Sequence, residues 1–516
     1  MRVNNIVIVG GGTAGWMTAS TFVRLFPDKK ITLIESPNIK SIGVGESTIA
    51  QFRKWLALVK IKDYDFMKEC DASYKFTIRF TNFHKKTDSR VDYPFGYPNN
   101  IISHVPEGNL WHLKKAYDPS IPLTDYNDSY FPVMALVNNN KVHKEDLDDF
   151  LFKRDTAFHF DATKFATWLK NNICQNINHI ESEVKLVKLN DDGIKSLELE
   201  NGQSITGDLF IDCTGFKSLL LGKSLYEEFL SYSHILPNNK SWATQVDYTD
   251  KKNQLVGITN ATALKNGWVW NIPLWSRIGT GYVYSDKYTT DNEALQEFKE
   301  HLKNEGFDIT KHEFRNIPMR IGIHKRLFVK NVVAIGLSAG FIEPLESNGL
   351  YTVHEFLHNL TRCFERETIS QWDKDVFNLA CRTTYNSWAE FVAMHYALSE
   401  RDDSDYWKAN MNREYDKTIH DLITEEKQGF RNLMMEKSYA YKYEPRAGIS
   451  HVASEYGYLP CTENTLRYEN IEIDLDYSMY IPLFDLLDKR KEKWNNTVKD
   501  SPSLYEYLKK EVYNEL

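Results

Sequence analysis

The sequence predicts an α/β composite fold built on a nucleotide-binding βαβ unit, and three observations predict it. Ile6 to Val9 reads as a buried strand that runs straight into Gly10-Gly11-Gly12-Thr13-Ala14-Gly15, a GxGxxG on Gly10, Gly12 and Gly15. Trp16 to Phe26 then reads as a helix, and Ile31 to Ile34 as a second strand ending at Glu35. Further on, Val184 to Leu189, Ile194 to Leu199 and Ser204 to Asp212 read as short strands, with turn signals at Asp192-Gly193 and Asn201-Gly202.

The opening unit has a complete physical logic. Glycines at Gly10, Gly12 and Gly15 permit a tight turn and the close approach of a pyrophosphate, which rests on the helix N-terminal amides of Thr13 and Ala14. Glu35 lies about 20 residues past Gly15, where an acid at the tip of the second strand binds ribose hydroxyls. The β-meander leads into Asp208 to Gly215, a strand ending in a Thr-Gly turn, which resembles the second nucleotide contact of glutathione-reductase-type FAD folds. Val332 to Gly336 supplies a further strand, with Gly336 opening a third glycine-containing segment. No second GxGxxG occurs. A built-in NAD(P)H domain is therefore not expected, and FAD would arrive reduced from a separate flavin reductase.

Later elements follow from pattern. In Tyr74 to Phe80, Lys75 stands just before an alternating strand, and Trp268 to Pro273 reads as an apolar strand. Leu350, Val353, Leu357 and Leu360, with Phe356, recur at helical spacing, so a helix should start near Gly349. Residues 1–350 are expected to form the FAD-binding body, interrupted near 81–150 by aromatic-rich substrate-side loops such as Tyr93-Pro94-Phe95 and Trp111-His112. Residues 351–516 are expected to be a mainly helical region that covers the substrate.

Composition narrows the function classes. The 516-residue chain is 42% hydrophobic and 26% charged, with a net charge of 63 − 71 = −8, which argues against nucleic-acid binding. No apolar run reaches the roughly 18 residues that span a membrane. Cys70, Cys174, Cys213, Cys363, Cys381 and Cys461 show no CxxC pairing, and the N-terminus is expected to enter the fold without a secretory signal, so a cytoplasmic setting is expected. Oligomeric state is left open. His354-Glu355-Phe356-Leu357-His358 is a literal HExxH, the signature of a zinc protease, but no third-ligand motif follows it and no metal is expected.

Four segments, in order, resemble the flavin-dependent halogenases of the tryptophan halogenase family. They are Gly10 to Ala19 (GGGTAGWMTA), Gly43 to Ile49 (GVGESTI), Trp268 to Pro273 (WVWNIP, followed by Gly281 to Ser285), and Gly340 to Ser347 (GFIEPLES). Phe158 to Asp161, and Phe391 to Tyr396 with Ser399 to Arg401, are also similar to the family, so the resemblance runs to about residue 410.

The resemblance implies an enzyme that oxidises a halide with reduced FAD and O2 and halogenates an electron-rich aromatic of indole or phenol type. It implies that Gly45, Glu46 and Ser47 lie in a loop that straps the flavin. A halide would sit on the backbone amides of Asn348 and Gly349, where the family commonly has threonine at the Asn348 position. Hypohalous acid would cross a tunnel walled by Trp268, Trp270, Ile272 and Pro273 to Lys75, which either hydrogen-bonds it or is itself halogenated. Glu346 would orient the electrophile, stabilise the cationic intermediate or accept the ring proton. An FAD-dependent aromatic hydroxylase is the closest alternative, although such enzymes usually carry Gly-Asp where this chain has Gly336-Leu337. Substrate specificity is expected in the 81–150 region and the tail from about 430, where Tyr439, Tyr441 and Tyr443 could stack on a ring.

Overall fold

β1 (Asn5–Val9), α1 (Thr13–Leu25) and β2 (Lys30–Glu35) follow one another as predicted. The structure is a computed structural model that describes residues 1–38, 45–99, 109–415, 448–457, 478 and 480–515. By contact the chain divides into two units, each gathered from three stretches. The first combines Met1–Ala72, His159–Lys240 and Ile317–Trp388, and the second Ser73–Phe158, Ser241–Asn316 and Ala389–Leu516. This cut differs from the single boundary expected near residue 350.

In the first unit β1 lies parallel to β2 on one side and to β3 (Leu209–Asp212) on the other. β4 (Val332–Ala334) continues the sheet in parallel beyond β3, and Asn178–Glu181 does so beyond β2. Strands covered on both faces need continuous apolar sequence, and Ile6, Ile8, Leu33, Phe210, Ile211 and Val333 are all fully buried. α1 packs against the helix Ala162–Asn172 and against α2 (Gly349–Arg362), which starts where its spacing predicts. The run Ser204 to Asp212 is not one strand. It breaks into Ser204–Ile205, in the meander, and β3, in the central sheet. Asp208 forces the break: its carboxylate accepts the backbone N–H groups of Asn4 and Asn5, both at 2.8 Å. Gly207 permits it, since a Cβ there would lie 2.7 Å from Val7 Cγ2.

The second unit carries a sheet in which Lys240–Val246, Ile278–Tyr284, Gly267–Pro273, Ile258–Ala263, Thr77–Thr81 and Arg90–Pro94 are successive neighbours. Its helix Asp291–Asn304 starts with a reciprocal cap between Thr290 and Glu293. Ala294, Phe298 and Leu302 recur on one face of that helix and pack on Val246, Val269, Ile278, Tyr282 and Tyr284 of the sheet. Phe298 is fully buried. Phe298→Ala should therefore cost about 3–5 kcal/mol of stability, read as a lowered urea midpoint with an unchanged slope.

Residues 81–150, expected as loops, carry regular elements. Arg90–Pro94 is a strand, and Asn109–Tyr117, Asp125–Tyr130 and Val133–Asn139 are helices. The aromatics there anchor packing: Trp111 is fully buried and its indole N–H donates to Asp125 at 3.0 Å. After residue 350 every regular element among the described residues is a helix. No described helix is long and apolar enough to cross a membrane.

Candidate active site

The glycine turn of the first unit separates three tasks. Gly10 has φ +117°, and a Cβ on it would lie 2.2 Å from the Cys213 carbonyl oxygen, so this turn and the strand end at β3 are in backbone contact. A Cβ on Gly15 would lie 1.8 Å from the Gly10 carbonyl oxygen, so α1 can close on the turn only without a side chain there. Gly12 is different: a Cβ on it would meet nothing within 4 Å among the described residues. The space above the helix start is open, as a pyrophosphate cradle requires. Gly336, at φ +73°, comes close enough to α1 that its Cβ would lie 2.8 Å from Ala14 Cβ, which brings the third glycine segment to the same place. Thr13 is fixed by its hydroxyl, which donates to the Ala162 carbonyl at 3.2 Å. Glu35 stands at the tip of β2 with His179 Nε2 2.9 Å and Lys170 Nζ 3.8 Å from its carboxylate. The residues present therefore fit the dinucleotide of an FAD.

A second cluster of the same unit surrounds the start of α2. Gly43 and Val44 lie outside the described residues, whereas Gly45 takes φ +95°, a conformation that favours glycine. Glu46 and Ser47 then pair antiparallel with Phe160 and His159. Ser47 Oγ lies 3.1 Å from Ser347 Oγ, which ties this strap to the turn before α2. That turn, Pro344–Glu346, buries Glu346 and ends at Ser347 in the left-handed region, φ +54°. Glu343 is also buried and accepts a 2.8 Å hydrogen bond from the Asn238 amide.

Asn348 takes the cap position of α2, yet its side chain makes no cap hydrogen bond. The group is 2% exposed, and its amide nitrogen has no hydrogen-bond partner among the described residues. Among the described residues, a Cβ on Gly349 would meet only Glu46 Oε2, at 3.9 Å. A donor-rich helix start thus faces open space bordered by a carboxyl group. Burial raises that Glu46 carboxyl from its ordinary value to about 7.

The same helix carries the HExxH. His354 is buried against Phe52 and Tyr351, with ring centroids 6.0 and 5.3 Å away, and desolvation, Lys54 and His358 lower its pKa to about 3. His358 is exposed. Among the described residues the two histidines join no group of three metal-ligating side chains, so the zinc-protease geometry is not assembled.

The second unit holds the other predicted residues. Lys75 ends the strand Ser73–Lys75 and has no exposed surface; its Nζ lies 5.1 Å from the centre of the Phe95 ring. The alternating strand that follows is Thr77–Thr81, and Phe76, between the two strands, donates its N–H to the Gly257 carbonyl at 2.8 Å. Ser73 Oγ donates to the Pro273 carbonyl at 2.6 Å, so the lysine strand is tied to the end of Gly267–Pro273. On that strand Trp268 and Trp270 are both buried, with ring centroids 6.2 Å apart, and Ile272 is buried beside them in sequence. Gly281 makes room for Trp270, because a Cβ there would lie 2.1 Å from Trp270 Cη2.

Sequence reasoning did not single out Phe95 as the ring against Lys75, Ser347 as the partner of Ser47, or Asn238 as the donor to Glu343. The first two lay inside segments already of interest. Asn238 had no local signal, since its partner is 105 residues away. Tyr439, Tyr441 and Tyr443 lie outside the described residues.

The chain is similar to known proteins over most of its length. The family profile described as Tryptophan halogenase matches residues 5–454. The tryptophan 6-halogenase ThaL of Streptomyces albogriseolus is 33% identical over 440 residues, covering 82% of this chain and 81% of its own. Among solved structures, apo VirX1 is similar over 100% of both chains with a TM-score of 0.89 and 35% identity. The tryptophan 6-halogenase of Streptomyces toxytricini gives a TM-score of 0.84 at 29% identity, over 98% of this chain and 99% of its own.

Proposed function

Because the chain belongs to the tryptophan halogenase family, we propose that it halogenates an electron-rich aromatic substrate of indole or phenol type, using a halide, O2 and FAD reduced by a separate reductase. The observation that carries this reading is Lys75. A lysine with no exposed surface is rare, because taking an ammonium group out of water costs several kcal/mol unless the site returns it. A buried amine among aromatic rings suits a group that must receive hypohalous acid away from bulk water.

Reduced FAD, when bound, supplies the electrons with which O2 and halide become hypohalous acid and water. The chain's own residues do the rest. Gly10, Gly12, Gly15, Ala14, Thr13, Glu35 and Gly336 hold the dinucleotide, and Gly45, Glu46 and Ser47 strap the flavin. The backbone amides of Asn348 and Gly349 hold the halide at the positive end of α2. Trp268, Trp270, Ile272 and Pro273 keep organic substrate from the flavin and water from the oxidised halogen. Lys75 Nζ, as an ammonium group, donates its proton to the oxygen of hypohalous acid; the carbon–halogen bond forms as the oxygen–halogen bond breaks, that proton leaves with the hydroxyl group as water, and the ring proton is taken up by a carboxylate, the role proposed for Glu346.

Tryptophan itself, the substrate that names ThaL, is the first compound to test. Protein would be incubated with FAD, a flavin reductase, NADH and chloride, bromide or iodide in turn, with tryptophan, other indoles and phenols present. Mass spectrometry should show halogenated product only with halide. An oxygenated product formed without halide would replace this reading with the hydroxylase alternative.

A further inference from the structure

We infer, resting on the halide reading of the α2 start, that halide and a proton enter this site together: Glu46 must be a neutral carboxylic acid for the anion to bind. The geometry leaves little choice. Among the described residues outside its own helix turn, a side-chain carbon on Gly349 would come within 4 Å of Glu46 Oε2 alone, at 3.9 Å, so an anion beside Gly349 has the Glu46 carboxyl as a neighbour. Glu46 is half-buried, and two negative charges that close at a site with little water between them repel. The donors available at this helix start are the N–H groups of its first turn, which an α-helix leaves without intrahelical partners, and the buried Asn348 amide nitrogen, which has no partner among the described residues.

The titratable groups on neighbouring elements are His159 on the paired strand, Glu343 and Glu346 in the turn before α2, and His354 and Lys54 further along α2 and on the helix Phe52–Leu58. None of them is the cause of the Glu46 shift; burial is. With the carboxyl already balanced near neutrality, protonation is available under ordinary conditions. Binding then takes the form of a carboxylate, a proton and a halide combining to a carboxylic acid beside a bound halide. By linkage, halide affinity is constant below pH 7 and falls about tenfold per pH unit above it, until the halide-bound form itself ionises. As a neutral acid Glu46 also donates a hydrogen bond to the halide, which a carboxylate cannot do.

The test is bromide binding by the FAD-loaded full-length protein, followed through the excess bromine-81 NMR linewidth at constant ionic strength. The wild-type dissociation constant should rise about a hundredfold between pH 6 and pH 9. Glu46→Gln, which keeps shape and donor but cannot ionise, should bind equally at both values, within about twofold. Equal wild-type affinity at pH 6 and 9, or a Gln variant that keeps the pH dependence, overturns the linkage while leaving the halide site standing. Absence of saturable broadening at every pH removes the halide site itself and the linkage with it.

Discussion

Lys75→Met should lower aromatic halogenation by roughly a thousandfold while leaving the fold and FAD affinity intact. The two halves of that expectation have separate causes. Methionine nearly matches the lysine stem in volume, so the packing around this position survives the exchange. Packing against Phe95 and the Ser73 tie to Pro273 do not depend on the ammonium group. What disappears is the polarised donor that holds the electrophile toward the ring. Oxidation of reduced flavin and formation of hypohalous acid should continue, since no lysine is needed at the halide. A diffusible halogen trap added to the assay should therefore be consumed by the variant at close to the wild-type rate, while the arene is recovered unchanged. Product formation within tenfold of wild type would show that Lys75 is only a buried structural lysine.

How much of this could be read from the chain depended on the range of the interactions involved. β1, α1 and β2 were legible because strand, glycine turn and helix are set by neighbours in sequence, and Gly10 and Gly15 announce a backbone approach that only glycine permits. The α2 start was legible for the same reason, from apolar spacing alone. The split between Ser204–Ile205 and β3 was not, because the carboxylate that causes it reaches Asn4 and Asn5, some 200 residues away. The gap at Phe76 between Ser73–Lys75 and Thr77–Thr81 has the same origin, a hydrogen bond to Gly257. Residues 81–150 read as loops because they satisfy partners far along the chain and not a simple period, as where the Asp92 N–H donates to Glu455 at 2.7 Å and Lys114 to Asp488 at 2.6 Å. In the site, Glu346 and Lys75 could be named from pattern, but their complete burial could not. Nor could the Glu46 carboxyl beside Gly349, which depends on two segments meeting in space.

Gly12→Ala should separate folding from cofactor binding. Gly12 has φ −74° and ψ −177°, extended backbone that alanine adopts without strain, and its added Cβ would meet nothing within 4 Å among the described residues. Stability in the absence of FAD should stay level or rise by about 0.4–1 kcal/mol, because alanine has less freedom to lose on folding. Gly15→Ala offers the contrast: its Cβ would collide with the Gly10 carbonyl, a backbone atom with no room to move, and should destabilise by several times that amount. If the open space over Gly12 is where the pyrophosphate lies, the alanine methyl occupies ligand volume. The clash should cost about 1–3 kcal/mol of binding, a ten- to hundredfold weaker FAD affinity by flavin fluorescence titration, with an unchanged urea midpoint for the apo protein. A glycine that the fold does not need, in a conformation any residue can take, is explained by what must approach it. Unaltered FAD affinity in Gly12→Ala would mean that the dinucleotide does not lie on this helix start, and the assignment of Thr13, Ala14 and Glu35 to it would fall at the same time.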